Sequence, residues 1–294
     1  MRKALIGSAL ACSLLFAAAP ALAQPGGPAA PCSREDLEKA VAGYIEAQTK
    51  GDASSIPFGG EWITVNENFE LSSMYGGMLG KAQKIDYWRT LATDTQTCST
   101  FTEVVITNPE HPYVLGVTLS GRSARVSTVE MLVTDKDDWL FSAANTMKWA
   151  KPEKWDIIPE AQRDSRAVIQ AAADAYLNLF SKPDTVVPWG TPCARLEGGI
   201  YSGKGKPGEA TPEDSCNVGV PSGVEMADRT YVVDVDRGSV SVLLRMGKNQ
   251  RPDAHTFRIE NGKIRYVHTI TVCQEEHCGF KYDDKTKAAL GMTS

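Results

Sequence analysis

The stretch His255-Thr256-Phe257-Arg258-Ile259-Glu260-Asn261-Gly262-Lys263-Ile264-Arg265-Tyr266-Val267-His268 decides how this chain is read. Asn261-Gly262 is the strongest two-residue signal for a β-hairpin, because a type I′ turn needs positive φ at both central positions. The turn sets the register. Glu260 meets Lys263 as a cross-strand charge pair. Ile259 then faces Ile264, Arg258 faces Arg265, Phe257 faces Tyr266 and His255 faces His268. Alternation puts His255, Phe257, Ile259, Ile264, Tyr266, His268, Ile270 and Val272 on one face. Thr256, Arg258, Glu260, Lys263, Arg265 and Val267 take the other. The two histidines are therefore expected as neighbours on the apolar side, with Cβ atoms about 5 Å apart.

Working outward, the hairpin belongs to a meander: Thr230–Asp236, Ser239–Met246, His255–Glu260 and Lys263–Val272. A similar run lies earlier, at Tyr113–Leu119, Ala124–Thr134 and Trp139–Met147. Ser33-Arg34 aligns with Ser165-Arg166, Ala40 with Ala172, and Tyr44 with Tyr176. One residue out of step, Pro57-Phe58-Gly59 meets Pro188-Trp189-Gly190. The chain is thus two units offset by about 132 residues, a duplicated domain rather than a solenoid.

Each unit opens with an amphipathic helix. Leu37, Ala40, Val41, Tyr44, Ile45 and Gln48 make the first stripe; Val168, Ala172, Tyr176, Leu179 and Phe180 make the second. Ser33 with Asp36 reads as a helix start and Gly51 as a stop, while Lys182-Pro183 ends the second helix. Helices first and a meander last describe an α+β domain, helices covering one face of a sheet. The expected organisation is a signal peptide at 1–23, a leader at 24–32, unit 1 at 33–150, a linker at 151–163, unit 2 at 164–273 and a tail at 274–294. The Gly/Pro/Lys-rich segment Gly198–Gly223 reads as one long loop.

Arg2-Lys3, the Ala/Leu-rich run that follows and Ala21-Leu22-Ala23 form a secretory signal peptide with its cleavage site. The run is short for ~30 Å of hydrocarbon, which argues against a membrane anchor. A lipidated Cys12 is disfavoured because almost no apolar run precedes it. The expected location is periplasmic or secreted. Cys32, Cys98, Cys193, Cys216, Cys273 and Cys278 remain after cleavage, an even number that reads as disulfides in an exported chain. Sequence order suggests 32–98, 193–216 and 273–278. The rival is a metal site using His277, which lies between Cys273 and Cys278. A net charge of -5 supplies no basic field for nucleic acid or an anionic membrane.

Two imidazoles on an apolar face disfavour double charge, so one is neutral and can take a proton while the other gives one. Two core histidines bonded to backbone, or a His–His metal site with a third ligand, are the competing readings. Arg195 and Glu197 point the same way if extended. They read as a general acid/base oriented by a cation, or as a surface ion pair. Their counterparts in unit 1 are Thr64 and Asn66. Trp189 and Tyr201 flank the segment and can wall a pocket, though Trp189 also suits plain core. Phe257 and Tyr266 share the histidine face. Aligning the terminal strands puts Phe141 beside Tyr266 and Ala143 beside His268, so any reaction is expected in unit 2. Arg258 opposite Arg265 needs solvent, acidic partners or an interface between the units. G-x-S-x-G, a P-loop, G-x-G-x-x-G after a strand and H-E-x-x-H are all missing, which argues against a cofactor.

The helices-then-meander unit and its Pro-Trp-Gly turn resemble the NTF2-like (SnoaL-like) superfamily. Arg163-Asp164-Ser165-Arg166, Pro188-Trp189-Gly190-Thr191-Pro192-Cys193, Arg195-Leu196-Glu197-Gly198 and Arg265-Tyr266-Val267-His268-Thr269 look like a family of secreted tandem proteins found in fungi and bacteria. The resemblance covers most of the mature chain, unit 2 best. It implies two tandem NTF2-like units and a pocket for a hydrophobic or aromatic small molecule, in a superfamily of binding proteins and cofactor-free enzymes. The expected activity is acid/base catalysis on a phenolic compound, hydrolytic or eliminative cleavage of a lignin-type aryl ether dimer among the options. His255, His268, Glu197 and Arg195 would be catalytic; Trp189, Tyr201, Phe257 and Tyr266 would bind substrate. The alternative is a non-catalytic binding protein using the same pocket. Units of this fold often pair sheet to sheet, so a monomer or a homodimer is expected.

Overall fold

The computed structural model describes residues 32–122 and 125–292. The signal peptide, most of the leader and Ala124 lie outside the described residues. Helix α1 (Arg34–Lys50) starts where the Ser33 hydroxyl accepts the Asp36 N–H and ends at Gly51, whose φ of 67° is left-handed. Strands β1 (Thr64–Glu67), β2 (Glu70–Leu71), β3 (Tyr87–Asp94), β4 (Ser99–Ile106), β5 (Tyr113–Arg122) and β6 (Arg125–Thr134) form one sheet, ordered β2-β1-β6-β5-β4-β3. Helix α2 (Ala143–Ala150) and a connector with one short 3-10 turn lead to helix α3 (Arg166–Leu179). Strands β7 (Trp189–Glu197), β8 (Ile200–Tyr201), β9 (Met226–Asp234), β10 (Ser239–Met246), β11 (Arg251–Glu260) and β12 (Lys263–Thr271) make a second sheet in the equivalent order β8-β7-β12-β11-β10-β9. Helix α4 (Asp284–Leu290) follows. The architecture is α+β.

Each sheet is a four-stranded antiparallel meander with a parallel strand beside its last member: β1 beside β6, β7 beside β12. Helix α1 covers the outer face of the first sheet through Ala40, Val41, Tyr44 and Ala47. Helix α3 covers the second through Ile169, Ala172, Ala173, Tyr176 and Leu177. Val168 is 41% exposed, so the apolar stripe is centred one position later than its sequence spacing suggested. The other two sheet faces pack against each other. Leu91, Phe101 and Leu132 of the first meet Val232, Leu243, Tyr266 and Ile270 of the second in one apolar layer. Gly116 of β5 marks the closeness: a Cβ there would lie 2.9 Å from Phe101 and 3.2 Å from Ile270.

One expected loop and one expected strand need correction: the segment Gly198–Gly223 is not loop throughout, because β8 turns back at Gly198 and pairs Tyr201 with Leu196. Trp139–Met147 is a turn followed by α2, with Ser142 as its N-cap. Ala143, Thr146 and Ala150 supply a helical rather than an alternating buried set. The place of β12 in its sheet is held by β6, so neither Phe141 nor Ala143 is the counterpart of Tyr266 or His268. Cystines join Cys32–Cys98, Cys193–Cys216 and Cys273–Cys278, the pairing suggested by sequence order; the metal alternative at Cys273 and Cys278 falls with it. No described helix is long and apolar enough to cross a membrane.

The two halves are pinned by a reciprocal exchange of charge. Arg34, at the start of α1, donates to Asp234 of β9, with Nη1 at 3.1 Å and Nη2 at 2.6 Å. Arg166, at the start of α3, donates to Asp94 of β3, at 2.9 and 2.6 Å. The backbone repeats the swap: Thr93 N–H donates to Asp234 and Val233 N–H to Asp94, each at 3.0 Å. Burial opposes charge on Asp94, but Arg166 and the Val233 N–H outweigh it and hold its pKa below the usual carboxylate value. Removing one arginine leaves a buried carboxylate uncompensated. Arg34→Ala and Arg166→Ala are each expected to lower unfolding free energy by about 2 kcal/mol in urea denaturation.

Candidate functional site

The Asn261-Gly262 turn forms as expected, with φ of 53° and 70°, and Glu260–Lys263 and Ile259–Ile264 pair across it. The next pair is not Arg258–Arg265. A bulge on β12 leaves Arg265 extra, and Arg258 pairs with Tyr266, Phe257 with Val267, Thr256 with His268 and His255 with Thr269. One inserted residue moves every later side chain to the opposite face. His255 and His268 are thus not neighbours. They lie on opposite faces of the second sheet, and both faces are buried.

His255 faces α3. Its Nδ1 lies 2.5 Å from Asp253 Oδ1, and Asp253 Oδ2 accepts the Thr271 hydroxyl at 2.6 Å. Tyr176, Phe180 and Phe257 surround the imidazole, with ring centroids 5.6, 6.1 and 6.2 Å away. Glu197, Thr269 and His255 form one row across β7, β12 and β11. One residue pair away, Arg195, Val267 and Phe257 form the next row. Arg195 is buried; its Nε donates to Glu197 at 2.9 Å and its Nη1 to the Gly219 carbonyl at 2.7 Å. It also lies over the Tyr176 ring. Burial opposes its charge, but its acidic surroundings, Glu197 among them, raise its pKa above the ordinary value. Trp189 packs edge-on against Tyr176 at 5.6 Å.

Two hydroxyls in this cluster are buried without a hydrogen-bond partner among the described residues: Tyr176 Oη and Thr269 Oγ1. A buried orphan polar atom requires an explanation. Burial pushes the Tyr176 phenol far above its ordinary pKa, so it is neutral and able to donate. The first unit differs. There Tyr44 donates to Gln48 at 3.1 Å, and Gln48 donates to the Met78 and Lys81 carbonyls. The aligned position in the second unit is Phe180, which leaves Tyr176 free. Thr271 also lines an adjoining cleft of about 250 Å³ walled by Trp139, Phe280, Val224, Met246 and Arg251.

His268 faces the first sheet. Nδ1 lies 3.0 Å from Glu103 of β4 and Nε2 lies 2.7 Å from Glu153 of the connector. Burial disfavours its charge, but Glu153 and Glu103 together raise its pKa to about 10. Glu153 also accepts the Trp155 indole N–H at 2.9 Å and the Tyr201 hydroxyl at 3.1 Å. Tyr266 stacks on Trp155, and Tyr201 on Trp149. The structure therefore gathers His255, Arg195, Glu197, Trp189 and Phe257 on one side, and His268, Tyr266 and Tyr201 on the other. The expected Arg258–Arg265 opposition is relieved by the bulge; Arg258 bonds Glu260 and the Asp156 carbonyl. Among the described residues no group of three or more His, Cys, Asp or Glu side chains is arranged to hold a metal ion.

Sequence reasoning passed over Asp253, Tyr176 and Thr269. Asp253 was findable, since it lies two residues before His255 on one strand and so on one face. Glu103 and Glu153 had no local signal, being 165 and 115 residues from His268.

A family model described as a domain of unknown function (DUF8021) matches residues 162–271, which span α3 and the second sheet. That is the half that carries the Asp253–His255 cluster. No curated protein matches the chain.

The raised pKa of His268 has a consequence for stability. Its contribution is complete below about pH 6.5, the ordinary histidine value, and is lost as pH rises toward about 10. Denaturant unfolding is expected to show stability falling between pH 7 and 10, and His268→Gln to be less stable and to flatten that slope.

Proposed function

We propose that the protein is an exported, cofactor-independent acid/base enzyme acting on a phenolic or other aromatic small molecule, with its site in an NTF2-like second unit. The observation that carries this reading is the placement of His255, held by Asp253, on the same side of the sheet as two buried hydroxyls without partners. With Nδ1 directed at Asp253, Nε2 is the nitrogen left to take a proton. The neutral Tyr176 hydroxyl is suited to donate to a developing oxyanion. Glu197 is a second acid or base, and Arg195 holds it in place through its own hydrogen bonds. His268 is removed from this scheme, because two carboxylates occupy both its nitrogens.

The unit's strand order and outer helix support the NTF2-like assignment. The three cystines fit an oxidising compartment and so support export. The neighbouring cleft walled by Trp139 and Phe280 suits an aromatic ring. That same cleft favours a second reading, reversible binding without reaction, since its lining is mainly apolar.

Incubation with phenolic monomers and aryl ether dimers, followed by mass spectrometry, separates the two. Turnover is expected, with His255→Ala lowering the rate at least ~100-fold and Tyr176→Phe about tenfold, both variants remaining folded. Undiminished turnover in both variants would sink the enzyme reading. A ligand that raises the melting temperature yet returns unchanged would favour binding.

A further inference from the structure

A separate cleft of about 490 Å³ opens between the halves, on the side of the second sheet away from His255. Its walls come from α1, β3, the connector and the turn between β9 and β10. Trp88 of β3 offers an indole that is 43% exposed, and Trp155 is buried behind it. An exposed tryptophan on the wall of an open cleft of this size is a stacking platform.

Two half-buried arginines, Arg89 and Arg237, line the cleft. Arg89 directs its guanidinium only at carbonyl oxygens: Ala150 at 3.0 Å, Glu153 at 2.9 Å and Lys151 at 3.0 Å. No carboxylate is paired with it among the described residues. Arg237 gives Nη1 to the Trp155 carbonyl, while its Nε is buried without a hydrogen-bond partner and lies 3.6 Å from Asp234. Asp234 is already shared with Arg34 and the Thr93 N–H. Burial lowers the Arg237 pKa; Asp234 opposes this, and the nearby Arg34 and Arg258 add to it. Both signs of a local deficit of negative charge are thus present. Of the acids on the cleft wall, Glu38 and Asp156 are exposed, Glu38 lies 4.0 Å from Arg34 and also favours the charge on Arg237, and Glu153 is committed to His268.

We propose that this cleft binds a small anionic aromatic molecule, its ring against Trp88 and its carboxylate on Arg237 and Arg89. A planar carboxylate matches a guanidinium fork, and the aromatic ring matches the indole face. The site is independent of the His255 cluster, so the protein has a second place for an aromatic acid, such as a product or an effector.

Isothermal titration of the full chain with benzoate tests this, with benzamide and acetate as controls for charge and ring. Benzoate is expected to bind saturably with a Kd below about 1 mM, and both controls at least tenfold more weakly. Trp88→Ala, a surface change, should weaken benzoate at least tenfold, as should Arg237→Gln, while Tyr176→Phe leaves it unchanged. The proposal is overturned by absence of saturable binding, by equal binding of benzamide, or by loss in Tyr176→Phe with no change in Trp88→Ala. Failure of Arg237→Gln to fold leaves Trp88→Ala to decide. None of these results depends on turnover at His255.

Discussion

Everything in this molecule depends on two sheets that are each buried on both faces. A helix covers the outside of each, and the inner faces press together. A polar side chain on either inner face has no water to turn to and must find a protein partner, in its own sheet, as Thr256 finds Ser241, or in the other half. His268 meets this requirement with Glu103 and Glu153. The Arg34–Asp234 and Arg166–Asp94 pairs meet it at the rim, where they also fix how the halves sit. The positions of the helix starts, the strand ends and the cleft beside Trp88 all follow from that registration.

The same double burial explains which features were legible in the sequence. Helix α1 was readable because Ser33, Gly51 and a 3.6-residue stripe agree. The turn at Asn261-Gly262 was readable because its backbone demand is local. The doubling was visible in paired words such as Ser33-Arg34 and Ser165-Arg166. The face of His268 was not readable. Every residue of β11 from Pro252 to Ile259 is buried, so polarity does not alternate and cannot reveal a slip in phase. Only the bulge at Arg265 decides the matter, and bulges have no strong sequence mark. Strands β3 and β4 are not legible in the sequence, and the segment of α2 reads as a strand because Trp139, Leu140 and Phe141 form a short apolar run just before it.

The two halves share a frame and differ in one chemical respect. In the first, the buried tyrosine of the opening helix is closed off by Gln48 one turn later. In the second, Phe180 stands in that position, and the sheet opposite presents His255, Asp253 and Thr269. The corresponding sheet face of the first half carries Leu115, Val117 and Leu119 in its apolar core. A single scaffold thus serves as a sealed core in one copy and a polar cluster in the other.

The connector adds something that duplication alone would not supply. The reciprocal arginine–aspartate pairs are nearly symmetric, each half giving what it receives. Glu153 has no such mate: it belongs to the segment that runs once between the halves, and it gathers His268, Trp155 and Tyr201 on one carboxylate. The covalent link therefore makes the two halves unequal. A pair of identical separate subunits would have two equivalent flanks, whereas in this chain one flank alone carries the connector and its buried Glu153. Tandem fusion thus lets one segment, present once, set a different chemistry on one side of a repeated fold.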